Sequence, residues 1–278
     1  DRVPVAIDIN NNDMYNTDDN CIEADGGAHN IRVFQNRCFN STGGALSAQP
    51  IFGGPLYFYQ NLVYGQTTGG YLKLVDTPAG VLIYQNTLIG QARYSGPASN
   101  IHFRNNLILA DAWTTTLFAL KTYTSYSDSD YNGFRVTPGA DVSFDWESPA
   151  AGLRTDYQGK LEVHHFKTLP EYRAGTGNEA HSVTVDYGIF NNVPMPERTD
   201  PQHLYNPEDL DFRLKAGSVA VDAGMELPTI TDHFTGKAPD LGAYELGRPL
   251  PHYGPRSPPA GVPPADAPRS FRGPPPGL

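Results

Sequence analysis

Apolar stretches of three to six residues recur through the first half of the chain, alternating with polar positions and bounded by Gly, Asn, Ser or Pro. Ile9-Asn10-Asn11, Phe34-Gln35-Asn36, Tyr59-Gln60-Asn61, Tyr84-Gln85-Asn86 and Phe103-Arg104-Asn105 share an aromatic or aliphatic residue, a polar residue and an Asn. Their Asn residues lie 25, 25, 25 and 19 apart. Asp130-Tyr131-Asn132 is a weaker sixth copy. Most copies run on into a second apolar stretch, such as Leu62-Val63-Tyr64 or Thr87-Leu88-Ile89. A period of two within each stretch predicts strands, and units of this length with no helical period predict a solenoid. The fold class is therefore all-β: a right-handed parallel β-helix whose coils stack at roughly 4.8 Å. A corner Asn suits it, because Asn tolerates left-handed backbone and its amide bonds to the coils above and below. A leucine-rich repeat would show a Leu framework, and a propeller blade needs about 40 residues.

The period holds over residues 1–133. Residues 134–246 read as final coils and a C-terminal cap, with one short helix near Leu169 to Ala174, capped by Thr168 and ended by Gly175. Val3 to Ile9 already reads as a strand in mid-repeat, so an upstream segment or a partner chain is expected to cover the first coil.

The pattern over Val3 to Asn132 resembles the pectin-lyase-like family of β-helix proteins. Further on, Asp211-Phe212-Arg213-Leu214-Lys215-Ala216-Gly217-Ser218, Val221-Asp222-Ala223-Gly224 and Pro239-Asp240-Leu241-Gly242-Ala243-Tyr244-Glu245 resemble the closing segment of bacterial secreted β-helix repeat proteins. The resemblance implies an extracellular or cell-surface, carbohydrate-active protein whose partner is a polysaccharide or other glycan. It does not fix the chemistry.

Composition changes this picture in two places. Residues 247–278 hold 11 of the 25 Pro and 5 of the 28 Gly, a Pro-rich tail expected to be polyproline-like or disordered. That tail carries four Arg and one Asp, so the remaining body is near −13 while the whole chain is −10. Such a body is repelled by phosphate backbones, which argues against nucleic acid as main partner. No apolar run approaches the roughly 20 residues of a membrane span. The start, Asp-Arg-Val-Pro, has no charged n-region or apolar h-region, so a signal peptide is expected to have been removed or never included. Cys21 and Cys38 are too few for a disulfide scaffold; packing as small hydrophobes is expected ahead of pairing. Asn40-Ser41-Thr42 is an N-glycosylation sequon.

Candidate chemistry follows from register. Ten to 13 residues after each recurrent Asn come Cys21 to Asp25, Ala45 to Gln49 and Tyr71 to Val75. Alternation sends Ile22, Ala24, Leu46, Ala48, Leu72 and Leu74 inward and stacks Glu23, Ser47 and Lys73 in one outward column. Asp18 and Asp19 precede the first of these strands and His29 follows it, so four carboxylates crowd one patch. The stretch Asn16 to Gly27 is similar to the acidic active-site strand of polygalacturonase-type hydrolases, whose Asn-Thr-Asp and Asp-Asp elements are fused here.

Two chemistries use such a patch. Glu23 and Asp25, roughly 7 Å apart along a strand, suit an inverting acid and base pair, with Asp19 beside them. A lyase instead would use Lys73 or Tyr71 as base, with Ca²⁺ as a possible cofactor at Asp18, Asp19 and Asp25. Asp18, His29, Ser47, Gln49 and Tyr71 are the candidate substrate-binding residues; without calcium no metal or other cofactor is expected. Tyr59, Tyr84 and Tyr94 are candidate sugar-stacking rings, whereas Asp222, Asp240 and Glu245 lie among Gly turns and read as structural. The expected function is polysaccharide cleavage, hydrolase slightly ahead of lyase. The alternative is a non-catalytic glycan-binding or structural β-helix of a cell-surface or filament assembly.

Overall fold

A computed structural model describes residues 3–92, 96–123, 126–150, 160–197, 200 and 203–256. It is a parallel β-solenoid. The first sheet stacks one strand from each of six coils: Val5–Asn10, His29–Phe34, Leu56–Tyr59, Ala79–Tyr84, Ser99–Arg104 and Asp128–Asp130. The second sheet takes the short strands Asp13–Tyr15, Arg37–Phe39, Leu62–Tyr64, Thr87–Ile89, Leu107–Leu109 and Gly133–Arg135, and ends on Val183–Thr184. The third sheet holds Asn20–Glu23, Gly44–Ala48 and Leu72–Leu74. Every pair within these three sheets is parallel. Late in the chain the parallel pair Phe118–Lys121 and Phe144–Ser148 is closed by the antiparallel strand Glu162–Phe166.

Inward side chains stack in columns. Ile31, Leu56, Val81 and Ile101 form one column of the first sheet and Val33, Phe58, Ile83 and Phe103 the next, all fully buried. The middle strands of the second sheet are buried on both faces, which explains their unbroken apolar runs such as Leu62-Val63-Tyr64. Its inner residues join the solenoid core. Its outer residues, Phe39, Leu62, Tyr64, Ile89, Leu107 and Leu109, pack under Phe190, Phe212, Leu214 and Leu241 of the C-terminal segment.

The recurrent Asn forms a continuous ladder, Asn12, Asn36, Asn61, Asn86, Asn106 and Asn132. At each step the Oδ1 of one Asn accepts both the backbone N–H and the Nδ2 of the preceding Asn, at 2.9–3.1 Å. The Nδ2 also donates to a backbone carbonyl of the preceding coil, as Asn61 does to Val33. The steps are 24, 25, 25, 20 and 26 residues. Sequence spacing placed two rungs one residue early: Asn12 and Asn106, rather than Asn11 and Asn105, carry the ladder. Asn11, Gln35, Gln60, Gln85, Asn105 and Tyr131 hold the positive φ before each rung. Left-handed backbone and amide stacking are thus divided between adjacent residues.

Asn132 has no further Asn above it. Its N–H donates to Ser182 Oγ at 2.7 Å, and its Nδ2 donates to Glu179 Oε2 at 3.2 Å and to Ser129 Oγ at 3.0 Å. Glu179, itself bonded by the Ser182 hydroxyl, is therefore the end stop. Burial pushes its carboxyl up to about 7, and the donors only partly oppose this. At the other end the sheets stop at open edges. Ile7 aligns with the Ile31 column but is 37% exposed, and Val5, opposite His29, is 42% exposed.

The helix spans Leu169–Thr176 with Thr168 as N-cap in a capping box, and ends at Gly177, φ 76°. It runs past Gly175, where a Cβ would clash with the Phe166 ring, so packing selects that glycine. Cys21 and Cys38, expected to pack unpaired, form a disulfide that joins the first coil to the second across the corner between the second and third sheets, with Cα atoms 6.1 Å apart. No helix among the described residues is long and apolar enough to cross a membrane.

Replacing Asn61 by Ala strands the buried N–H and amide of Asn36 and should cost about 3 kcal/mol or more. Urea unfolding within about 1 kcal/mol of wild type would deny the ladder this role. Glu179 gives a second prediction. Its folded pKa lies above the unfolded value of 4.5, so its contribution is fully present below about pH 4.5 and is lost as pH rises through about 7. The stability difference between wild type and Glu179→Gln should shift against wild type across that window; a difference constant with pH would refute it.

Candidate functional site

With the second sheet covered, the outer faces of the first and third sheets are the candidates. The third sheet carries the acidic patch, and its register is the expected one: Glu23 lies beside Ser47, and Ser47 beside Lys73. Asp25 accepts a 2.7 Å bond from Ser47 Oγ. Burial raises the Asp25 carboxyl and Glu23 adds to this, while the Ser47 bond, the Lys73 charge and the Gln49 backbone N–H pull it down. Asp19 Oδ1 accepts from the backbone N–H and Nδ2 of Asn20, whose Nδ2 also donates to Glu23 Oε1 at 2.9 Å. Glu23, Asp25, Asp19, Ser47 and Lys73 thus form one neighbourhood.

The other candidates lie elsewhere. Tyr71, expected outward, is 2% exposed; the chain turns it into the core, where its hydroxyl donates to the Leu117 carbonyl at 2.7 Å. Burial drives that phenol far above its ordinary pKa, so it offers neither a surface ring nor a base. Ala45 and Ser47, also expected outward, are buried. Cys21 is withdrawn into the disulfide. Gln49 donates to Asp76, and Asp18 accepts from Thr42 Oγ1. His29 is exposed but opens the first-sheet strand opposite Val5. Asp18, Asp19 and Asp25 each take different donors, and among the described residues no three His, Cys, Asp or Glu side chains converge as metal ligands.

The outer face of the first sheet is the more developed surface. One column runs Asn10, Phe34, Tyr59, Tyr84, Arg104, Asp130, and the next Asp8, Arg32, Tyr57, Leu82, His102, Asp128. Phe34 and Tyr59 stack in parallel, 4.8 Å between centroids and 4° between planes. Tyr57 and Tyr84 are half-buried beside them, so the middle of this face is aromatic. Its ends are charged. Arg32 forms a bidentate pair with Asp8 at 2.6–2.7 Å, and Asp128 binds both His102 and Arg104. Tyr94, the third candidate ring, falls outside the described residues.

A groove of about 290 Å³ runs along this face, with Phe34, Tyr59 and Gln60 on one side and Ile230, His233 and Arg248 on the other. The opposite wall is the C-terminal segment, gripped by the corner side chains. Gln60 donates to the Ile230 carbonyl, Gln85 to that of Asp240 and Asn105 to that of Met225. Asp222, Asp240 and Glu245 accept backbone N–H groups within this segment, the structural role expected of them.

Residues 247–256, read from sequence as the start of a separate tail, complete the wall and continue to the first coil. Tyr253 lies under the Arg37 guanidinium, 4.9 Å from its centroid, and its hydroxyl bonds to that of Tyr244. Gly254 N–H donates to the Asn11 carbonyl at 2.9 Å. Arg37 also pairs with Asp13 and Glu208 and so clasps the segment to the second sheet.

The aromatic row was visible in the sequence as the residue two before each rung, Phe34, Tyr59 and Tyr84. The His102, Arg104 and Asp128 cluster was not, because it joins residues 24 and 26 apart across a coil without the common period. No known protein family and no curated protein matches the chain.

Tyr253→Ala should lower stability by about 2–4 kcal/mol through lost burial and the lost cation–π contact. An unchanged thermal midpoint would show that residues 247–256 add nothing to the fold.

Proposed function

We propose that this solenoid is a secreted, carbohydrate-active right-handed β-helix of the pectin-lyase-like kind, which binds an extended polysaccharide along the outer face of the first sheet. The observation that carries this reading is the row Phe34, Tyr59 and Tyr84 beside a groove whose far wall sets Thr229, His233, Glu245 and Arg248 among apolar residues. Sugar rings present apolar C–H faces, which rest on aromatic rings, and equatorial hydroxyls, which bond to side chains at the rim. Coils spaced at roughly 4.8 Å repeat this platform along the solenoid, as a linear polymer requires. The Cys21–Cys38 disulfide supports an oxidising, extracellular setting. The exposed edge at Val5 and Ile7 supports a covering strand from an upstream segment or partner.

Cleavage at the third sheet is the second reading, favoured by one observation. Glu23 is exposed, while burial raises Asp25 in the turn that follows its strand, the divergence of environments that an acid and base pair needs. Hydrolysis then has Asp25 as acid and Glu23 as base; a lyase would use Lys73 as base.

The test is affinity electrophoresis and digestion with a panel of soluble neutral and acidic polysaccharides. Tyr59→Ala and Tyr84→Ala should each weaken binding of a retained glycan about tenfold, or about 1.4 kcal/mol. Wild-type affinity in both would reject the platform. Glu23→Gln and Asp25→Asn, made separately, should each abolish any turnover without affecting retention. Products absorbing in the ultraviolet as unsaturated uronates would assign elimination, and reducing ends without that absorbance hydrolysis.

A further inference from the structure

At the far end of the aromatic row, His102 and Arg104 project from one strand and Asp128 from the next. Asp128 Oδ1 lies 2.6 Å from His102 Nδ1, and its Oδ2 accepts from Arg104 Nη2 at 2.7 Å. Arg104 Nη1 donates to the Phe103 carbonyl at 2.7 Å. This cluster belongs neither to the Asn ladder nor to the core, and it does not anchor the C-terminal segment. The His102 side chain is 28% exposed.

The carboxylate sets the tautomer. Burial raises Asp128, but the bonds from His102 and Arg104 outweigh it and bring the group to about 2, so Asp128 is ionised and can only accept. His102 Nδ1 must then carry hydrogen, and in the neutral ring the lone pair is on Nε2. Nε2 has no partner among the described residues. Leu82 precedes His102 in its own column and Tyr84 lies diagonally beside it, within roughly 7–8 Å. A sugar ring resting on Tyr84 therefore presents its substituents to an oriented imidazole lone pair and to the unused N–H groups of Arg104.

We propose that His102, oriented by Asp128, is the general base of an esterase site that removes O-acyl groups from the glycan bound along the first sheet. The proposal rests on the glycan-binding reading above. The chemistry selects ester hydrolysis over hydrolysis of the glycosidic bond: an acetal is hydrolysed only when its leaving oxygen is protonated, whereas an acyl carbon accepts base-activated water.

In the step, Nε2 takes a proton from water as the water oxygen bonds to the ester carbonyl carbon and the carbonyl π pair moves onto oxygen. Arg104 faces that oxyanion. Collapse re-forms the C=O bond and breaks the bond to the sugar oxygen, which takes the proton back from Nε2. The products are a carboxylic acid and a sugar hydroxyl, and no further reactant is consumed.

The test uses the full chain with O-acetylated xylan, measuring acetate release, and with the deacetylated polymer in affinity gels. Wild type should be retarded by the polymer and release acetate. His102→Gln should release it at least 100-fold more slowly. Asp128→Asn should lose at least tenfold, because a carboxamide can present its N–H to Nδ1 and turn the tautomer round. Both should keep wild-type retardation, and added imidazole should restore release to His102→Gly above the rate of free imidazole. His165→Gln, altering a surface histidine paired with Asp145 outside this sheet, should leave release unchanged. Retardation without acetate release would overturn the esterase site and leave the binding reading standing. Neither retardation nor release would overturn both. Release that survives His102→Gln, or no rescue by imidazole, would overturn the role of His102.

Discussion

The fold depends on how one buried amide satisfies its neighbours. Each rung from Asn36 to Asn106 gives its backbone N–H and Nδ2 to the next Asn and accepts the same two donors from the preceding one, at positions fully closed to water. A buried amide left unpaired costs more than a paired one contributes, so the ladder acts mainly by forbidding other registers. At the middle rungs a slip of one residue would place Gln35, Gln60 and Gln85, or Arg37, Leu62 and Thr87, in the ladder and invert every strand beyond it. The ladder also explains why coils of 20 and 26 residues can adjoin without disturbing the sheets. Only the rung must align, and loops between sheets absorb the difference.

That division of labour decided what could be read from the sequence. Repetition of an aromatic, a polar residue and Asn was enough for the solenoid, its six coils and the inward columns, because strand alternation is a local property. It was not enough to separate Asn11 from Asn12 or Asn105 from Asn106, since two adjacent Asn residues satisfy the same spacing. Tyr71 looked outward by alternation, yet its strand begins only at Leu72, so the period did not apply to it. Cys21 and Cys38 lie 17 residues apart on different sheets, and only the corner geometry brings them together.

The surface chemistry was legible to the same limit. Glu23, Ser47 and Lys73 lie in one column because register alone places them there. The aromatic row of the first sheet follows from the same rule, although its exposure could not be known before the second sheet was seen to be the covered one. The groove needed residues more than 150 apart, as in the Gln85 contact with Asp240, and no periodicity encodes such a contact. Glu179 was equally silent: outside the repeat, it and Ser182 together take the two donors that a further Asn would accept.

The contact of Gly254 with Asn11 has a kinetic meaning. Neighbouring coils meet over about 25 residues, a short loop that closes early and lets a solenoid grow from one end during synthesis. The clasp at Arg37 and Tyr253 instead closes a far longer loop, and it cannot form until residues 247–256 have emerged. The first coil therefore waits longer for this neighbour than for the coil stacked on it. One wall of the groove is completed only once residues 247–256 have docked, so the finished surface arises after the coils that it borders.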